Sequence, residues 1–201
     1  MSAPTCTALV LSGGGSNGAW EAGVFWGLTH YGNPEDFKYD VLSGVSAGSI
    51  NTGFIVGTAV GTEVKASELL SELWANMKNE YIYKKWDTGG PLRWLTEYPS
   101  IFDNSPSVDF ANTMISYFPN GIQRMFNMGS VNVETGEFHN FTEKNTSLEQ
   151  LPDAVIASSS VPGAFPPHYY QGNYYMDGMT AWNTNMSSAI TRCLEIVEDE
   201  S

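Results

Sequence analysis

The sequence predicts a single α/β domain of three layers, in which helices cover both faces of a central, mostly parallel sheet. Short apolar runs alternate with helical patterns in the first half of the chain, and this order favours parallel strands joined by crossover helices. A length of 201 residues is typical of one domain, so residues 1–201 are assigned to a single unit.

The first half of the chain contains two strand–turn–helix patterns followed by a further helix. "TALVL" at 7–11 is an apolar run that ends in glycines, as a buried parallel strand does. Trp20, Val24 and Leu28 recur at helical spacing and predict one face of a helix that ends near "HYGNPEDF". "YDVLSGVSAGSINTGFIVG" repeats this design. The leucines and Trp74 of "SELLSELWANM" predict a helix packed on the core.

The second half of the chain is less regular. Residues 81–105 carry many aromatic and turn residues without a clear period. A hairpin is predicted around "ETGE", a short helix before Pro162, and a second turn at "YYQGNYYMDGM" that runs into Asp177. A last helix is predicted over 186–197. An α/β domain often continues with another strand after such a helix, so a C-terminally truncated form is expected.

Composition and charge exclude several partners. The net charge is −13 with only nine Lys and Arg, which argues against nucleic acid and against docking on anionic membranes. No apolar run reaches the length of a transmembrane helix. The N-terminus lacks the basic region of a signal peptide, which makes a cytoplasmic location the default, but a chain whose signal had been removed would look the same.

The two cysteines, Cys6 and Cys193, lie far apart in the sequence. They could form one disulfide or remain as two free thiols, and the sequence alone does not separate these cases. No CxxC motif or Cys/His cluster is present, so no metal site is predicted.

A glycine-rich stretch, "LVLSGGGSNGAWEAGV", permits two interpretations. Gly13, Gly15 and Gly18 form a G-x-G-x-x-G, which in a strand–loop–helix setting can hold a dinucleotide pyrophosphate. The same glycines expose backbone N–H groups that could stabilise the oxyanion of an acyl transfer. A dinucleotide site also needs an acidic residue about 20 positions further on, and three stand near there: Glu35, Asp36 and Asp40.

A second motif, "GVSAG", favours the oxyanion. It is a G-x-S-x-G between an apolar strand and a helical pattern, the context in which a serine is raised on a tight turn as a nucleophile. Ser46 is therefore the candidate nucleophile. Of the histidines only His168 suits a conventional triad, and no histidine follows Asp177. A carboxylate that acts directly as the base fits this inventory better.

Four blocks in order resemble the patatin-like phospholipases, serine lipid acyl hydrolases with a Ser–Asp dyad. The blocks are "SGGGSNG" at 12–18, "GVSAGSIN" at 44–51, "ASSSVPGAFPP" at 157–167 and "MDG" at 176–178. They correspond to the family's oxyanion loop, nucleophile elbow, proline-containing block and catalytic acid. Together they span nearly the whole chain.

The resemblance implies a patatin-like fold and an active site without a metal or other cofactor. It also assigns a role to individual residues of this sequence. Ser46 would be the nucleophile and Asp177 the general base. Backbone N–H groups of the glycine loop would form the oxyanion hole, drawn from Gly13, Gly14, Gly15 and Ser16. The implied activity is that of a phospholipase A, lysophospholipase or lipase, which cleaves acyl esters through an acyl-enzyme.

Two positions depart from the family pattern. Asn17 stands where the family usually has Arg or Lys, which removes a charge that could contact a phosphate headgroup. Met179 stands where a small residue usually follows Asp-Gly, which would narrow the pocket. These departures, with the early C-terminus, leave open a catalytically weak or inactive lipid-binding protein on the same fold.

Aromatic residues of the irregular segment are further candidates for substrate contact. Trp86 and Trp94 belong to a stretch that could form a lid or an interfacial surface, and equally could fill the core beneath a loop. The acidic net charge favours a neutral or zwitterionic membrane or micelle surface over an anionic one.

Overall fold

The structure is a computed structural model that describes residues 5–86 and 99–199. Its strands are β1 (Ala8–Leu11), β2 (Val41–Val45), β3 (Met125–Asn132), β4 (Phe138–Thr142), β5 (His168–Tyr170) and β6 (Asn173–Asp177). Its α-helices are α1 (Gly18–Tyr31), α2 (Ala47–Ile55), α3 (Glu63–Asn76), α4 (Ser105–Asn112), α5 (Leu151–Ser159) and α6 (Met186–Asp199).

The strands form one sheet in the order β1-β2-β3-β6-β5, with β4 on the other edge of β3. β1, β2 and β3 are parallel, and the pairings of β4, β5 and β6 are antiparallel. The predicted α/β class with parallel strands at its centre is confirmed. The antiparallel part comes from the two hairpins, which the sequence also predicts.

Two strands meet end to end along one edge of β3. β2 runs parallel to β3 and ends with Val45 opposite Gly129. β6 runs antiparallel to β3 and ends with Asp177 opposite Ser130, the next residue along. Because β4 occupies the other edge of β3 over the same residues, β2 and β6 share this edge, and their C-terminal ends face each other. This junction positions the candidate site.

Helices pack on both faces of the sheet. Side chains alternate between the two faces along each strand, so each strand contributes side chains to both packing surfaces. Leu42 and Phe126 point towards α2 and belong to the main hydrophobic core. Their neighbours Ser43 and Asn127 point to the other face, where Ser43 Oγ donates to Asn185 O just before α6. The largest fully buried side chains are Phe25, Phe54, Phe118, Phe126, Leu42, Ile55, Leu70, Met114, Met128, Leu151, Val41 and Val45.

Helix α1 carries its predicted apolar face outward. Trp20 is 72% exposed, and Val24 and Leu28 are also exposed. The buried face of α1 consists of small and aromatic residues, including Ala22 and Phe25. The helix is therefore confirmed, but its apolar spacing marks an exposed stripe.

The remaining predicted elements are found where the sequence places them. These are both hairpins, the helix that ends before Pro162 and the last helix. The sequence did not predict α4, which begins at the last residue of the aperiodic segment 81–105 and continues to Asn112. Residues 87–98 of that segment lie outside the described residues. The assignment of 1–201 to a single domain stays a prediction.

A disulfide joins the chain's beginning to its last helix. Cys6, just before β1, is bonded to Cys193 in α6, with Cα atoms 5.4 Å apart. The structure thus selects one of the two cases that the sequence left open. Among the described residues, no helix is both long enough and apolar enough to span a membrane.

Candidate active site

Ser46 sits on a strained turn between β2 and α2. Its backbone has φ 55° and ψ −121°, a left-handed conformation that non-glycine residues rarely adopt. The turn is tight because Gly44 and Gly48 lack side chains. A Cβ on Gly44 would lie 2.6 Å from Thr52 Oγ1, and one on Gly48 would collide with the Leu11 carbonyl. The sequence G-x-S-x-G therefore brings α2 close against β1 and β2 and raises Ser46.

The end of α5 holds this turn in place. The Ser46 N–H donates to both the carbonyl oxygen and Oγ of Ser158, each at 3.2 Å. Ser158 Oγ in turn donates to Gly129 O at 2.5 Å, and its hydroxyl pairs with Ser49 Oγ at 2.6 Å. Because the single proton of Ser158 goes to Gly129, Ser49 is the donor in that pair. Ser158 is fully buried and connects α5, the Ser46 turn and β3.

Asp177 ends β6 and is buried, with no exposed surface. Its N–H donates to Ser160 O at 2.9 Å, and its Oδ1 accepts from the Met179 N–H at 2.8 Å. Burial raises the pKa of Asp177 to about 6, and the Ser46 hydroxyl and the Met179 N–H partly offset this rise. The carboxylate is therefore a stronger base than an exposed aspartate and is still charged at neutral pH.

Ser46 and Asp177 come together at the junction of β2 and β6. The Ser46 hydroxyl is near enough to lower the pKa of Asp177, yet Asp177 Oδ2 has no aligned hydrogen bond from any described residue. The two groups are therefore neighbours without a formed hydrogen bond. In free enzymes such bonds are often long and tighten with bound substrate.

The glycine loop lies beside this pair. A Cβ on Gly13 would be 3.0 Å from Ser46 Cβ, so only glycine permits this approach. Gly13 donates its N–H to Asn183 O, and Asn183 Nδ2 donates to Gly13 O, each at 3.0 Å. Gly13 is thus occupied and is not a free donor, in contrast to its predicted role. The N–H groups of Gly14, Gly15 and Ser16 have no acceptor among the described residues, and Gly15 has a positive φ of 56°.

A half-buried carboxylate, that of Glu21, holds the start of the glycine loop. Glu21 in α1 accepts from the Ser12 N–H at 2.7 Å and from Ser12 Oγ at 3.1 Å. Its other oxygen accepts from Asn51 Nδ2 at 3.0 Å, and Asn51 Oδ1 accepts from Trp74 Nε1 at 2.7 Å. Burial raises the pKa of Glu21, against the lowering effect of these donors. The network fixes the residue before Gly13 to α1, α2 and α3.

A cavity of about 560 Å³ opens at the glycine loop and Ser46. This volume is typical of a small-molecule site. The wall away from the loop is mainly apolar, with side chains from α2, α3, α4 and α5 and from the segments between them. Its larger apolar members are Ile50, Trp74, Met77, Ile82, Tyr83, Phe110, Met114, Val155, Ile156, Val161 and Phe165.

The model of the patatin-like phospholipase family matches residues 9–190. This range takes in the glycine loop, the Ser46 turn and Asp177. The chain belongs to the patatin-like phospholipase family. No curated protein matches it. Among solved structures it is similar to the crystal structure of VipD from Legionella pneumophila, with a TM-score of 0.48 and 16% identity. The match covers 88% of this chain and 46% of VipD, so the chain spans less than half of the length of that protein.

The predicted substrate-contact residues of this patatin-like chain fall in different places. Met179 lines the cavity. Asn17 is exposed, donates its N–H to Gly14 O and is not among the lining residues. Trp86 donates its indole N–H to Ser100 O at 3.0 Å and is likewise outside the lining. Trp94 lies outside the described residues.

The residues considered from the sequence as an alternative base or as ribose-binding acids lie away from the cavity. His168 Nε2 is 2.8 Å from Asp153 Oδ1, and none of the three histidines lines the cavity. Two of the three acidic residues considered for a ribose have other partners: Glu35 accepts from Lys38 Nζ at 2.6 Å, and Asp40 accepts from the Thr7 N–H at 2.9 Å. None of the three, Asp36 included, lines the cavity.

Three supporting residues were not found from the sequence. Ser158 lies in a run of three serines, and only the fold shows which of these faces Ser46. Asn183 follows the Asp-Gly block by five residues in a stretch with no motif. Glu21 looks like an ordinary acidic residue in the first turn of a helix.

Proposed function

We propose that this chain is a serine lipid acyl hydrolase in which Ser46 forms the acyl-enzyme and Asp177 is the general base. One observation carries the proposal. A fully buried carboxylate with a pKa of about 6 stands beside a serine on a left-handed turn, at the wall of an apolar cavity. Membership of the patatin-like phospholipase family supports the same chemistry.

Acylation begins when Ser46 Oγ attacks the carbonyl carbon of an acyl ester. Asp177 takes the hydroxyl proton as the new bond forms. Negative charge develops on the carbonyl oxygen, where the N–H groups of Gly14 and Gly15, with Ser16, can donate to it. Such donors typically contribute about 3 kcal/mol each to transition-state stabilisation.

Acylation ends when the protonated Asp177 gives its proton to the leaving alcohol oxygen as the ester C–O bond breaks, which leaves the acyl group on Ser46 Oγ. Deacylation repeats this proton exchange with water. Asp177 then takes a proton from water, which attacks the acyl carbon, and returns that proton to Ser46 Oγ as the fatty acid leaves. A single carboxylate therefore serves as base and acid in each half-reaction.

The cavity favours an acyl chain as the group next to the ester. Its far wall is apolar and its entrance carries the polar backbone of the glycine loop. An aliphatic chain placed there removes apolar surface from water on both sides. Phospholipase A, lysophospholipase and lipase activities all fall within the proposal, since each places an acyl chain next to the scissile ester.

The proposal is tested with a short-chain p-nitrophenyl ester and a fluorophosphonate probe. Wild type is expected to turn over the ester and to take up the probe on Ser46. Ser46→Ala should lose both, and Asp177→Asn should lose nearly all turnover while it remains folded by circular dichroism. His168→Ala is the control and should remain active.

Two outcomes contradict the proposal. An active Asp177→Asn together with an inactive His168→Ala would replace the dyad with a histidine-dependent triad. A folded wild type that neither hydrolyses the ester nor takes up the probe would favour the lipid-binding alternative.

A further inference from the structure

Two segments border the mouth of the cavity, and neither carries a charged side chain. Residues 9–20 precede and begin α1, and residues 178–191 connect Asp177 to α6. Neither range contains Asp, Glu, Lys, Arg or His, although charged residues make up 15% of the chain. These two segments, each of which contributes lining residues to the cavity, are therefore uncharged in a protein whose net charge is −13.

The same two segments expose large apolar side chains. Trp20 is 72% exposed, Met179 46%, Trp182 51% and Met186 59%. We call these four residues the uncharged rim. Trp20 directly follows Ala19, which lines the cavity. Trp182 stands between two other lining residues, Met179 and Asn183. The rim thus lies on both sides of the glycine loop.

The side of the rim that carries Trp182 is held in place, although it is exposed. The two hydrogen bonds between Gly13 and Asn183 join the segment that carries Trp182 to the glycine loop. The Trp182 ring packs on Phe138, with ring centroids 5.1 Å apart. These contacts fix one of the two rim tryptophans in its exposed position beside the site.

We propose that the uncharged rim docks this protein on the surface of a zwitterionic phospholipid bilayer, with the cavity mouth against the lipid. Tryptophan favours the boundary between hydrocarbon and water, because its ring is apolar and its N–H is polar. A rim without cations gives no attraction to anionic lipid, and the net negative charge opposes it. The inference rests on the proposed function, since that function places an acyl chain in the cavity.

The test uses Ser46→Ala as the parent, so that binding is measured without turnover. Flotation with phosphatidylcholine vesicles should carry a large fraction of this parent with the lipid. Adding Trp20→Ala and Trp182→Ala should lower the partition coefficient at least about tenfold. Binding should change little with salt, and vesicles with half phosphatidylglycerol should bind less protein.

The matched control removes two exposed aromatics elsewhere. Tyr169 and Tyr174 are 60% and 46% exposed and stand at the turn of the β5–β6 hairpin, at the end away from Asp177. Replacing both with alanine in the same parent should leave vesicle binding unchanged. An equal loss in this control would overturn the assignment to the rim.

Other outcomes separate this inference from the proposed function. No vesicle binding by the Ser46→Ala parent overturns the docking surface, even if wild type hydrolyses the short-chain ester. Binding that depends on the rim supports the surface, even if wild type proves inactive on that ester, in which case only the hydrolase proposal fails. If the tryptophan substitutions instead convert a dimer to a monomer in sedimentation velocity, the rim binds a second copy and the lipid proposal is wrong.

Discussion

Ser158 receives the backbone N–H of Ser46 on both its carbonyl oxygen and its Oγ, at 3.2 Å in each case. Two residues later in the same chain segment, Ser160 O accepts the N–H of Asp177 at 2.9 Å. The end of α5 therefore holds the backbones of both candidate catalytic residues. Side chains at this helix end can influence the reaction without contact with the substrate.

The first prediction is that Ser158→Ala lowers kcat about tenfold or more and changes KM little. The substitution leaves Gly129 O and the Ser49 hydroxyl without their buried partner, at a cost of about 1 to 3 kcal/mol of stability. It also removes one of the two acceptors that hold Ser46 at its positive φ. Steady-state kinetics with a short-chain ester and thermal unfolding separate the two effects.

The control for this prediction is Ser160→Ala. Ser160 is equally buried, but its hydroxyl donates only within its own helix, to Ile156 O at 2.8 Å, and its backbone contact to Asp177 is retained. It should lose stability with kcat nearly intact. If Ser160→Ala lowers kcat as much as Ser158→Ala, the effect comes from packing at the helix end and not from the contact with Ser46.

The second prediction concerns the pH profile. Burial raises the pKa of Asp177 to about 6, and only the deprotonated carboxylate can accept the serine proton. The value of kcat/KM should therefore be constant above pH 7 and fall about tenfold per unit below the pKa. Initial rates between pH 4.5 and 8 give the midpoint.

The titration of a second, half-buried carboxyl must be separated from that of Asp177 in this pH profile. Burial also raises the pKa of Glu21, which supports the glycine loop. The profile of Glu21→Gln resolves this, because the variant removes that titration and keeps an acceptor for Ser12. An unchanged midpoint assigns the acid limb to Asp177. A limb that disappears would assign it to Glu21 and contradict the prediction.

The third prediction is that Asp177→Asn stabilises the folded protein above pH 6. The folded-state pKa lies above the ordinary value of 3.8, so the charged form destabilises the fold at high pH. The shift corresponds to at most about 3 kcal/mol, a penalty that fades as the pH falls from 6 towards 3.8. Urea unfolding at pH 8 and pH 4.5 should show that the Asp177→Asn variant gains much stability at pH 8 and little at pH 4.5. A gain independent of pH would show that the carboxylate is not the cause.

The fourth prediction is that Gly13→Ala inactivates the enzyme without unfolding it. A Cβ at this position would collide with Asn183 and press on Ser46 Cβ, so the exposed loop must shift away from the nucleophile. Fluorophosphonate uptake should fall with turnover, because the same N–H groups serve both reactions.

Gly23→Ala supplies the comparison within α1. A Cβ on Gly23 would meet no atom within 4 Å, so alanine should remain active and gain about 0.5 to 1 kcal/mol from its higher helix propensity. Full activity in Gly13→Ala would mean that the loop reaches its working position without the close approach at Ser46.

The site's chemistry could be predicted from the sequence where local backbone geometry demands particular residues. Gly44 and Gly48 are needed for the turn at Ser46, so their spacing identifies the nucleophile before any fold is known. The pairing of Ser46 with Asp177 could not be derived in this way, because it depends on β2 and β6 meeting end to end along β3. Only the family resemblance placed Asp177 there.

Contacts between segments far apart in the sequence could not be predicted, because no local sequence pattern marks them. The Asn183 contact with Gly13 joins residues 170 positions apart. Nothing in the sequence distinguishes Asn183 from an asparagine that merely lies in a loop. The apolar spacing of α1 was equally ambiguous, because Trp20 recurs with Val24 and Leu28 as core residues do and yet lies exposed. Periodicity reports that a helix has an apolar face, and it does not report what covers that face.

The last prediction concerns the bond between Cys6 and Cys193. It closes a loop with a sequence separation of 187 residues and attaches α6 to the segment before β1. Removing it with Cys6→Ser and Cys193→Ser should lower the free energy of unfolding by about 2 to 5 kcal/mol, chiefly because the unfolded chain gains freedom. Activity at 25 °C should be largely retained, since Ser46, Asp177 and the glycine loop are held by contacts of their own. Urea unfolding of the oxidised wild type, the reduced wild type and the double variant is the measurement. Equal stability of all three proteins would mean that the unfolded chain is already compact around these two ends. A double variant that is fully stable but inactive would show that α6 positions the site through this bond.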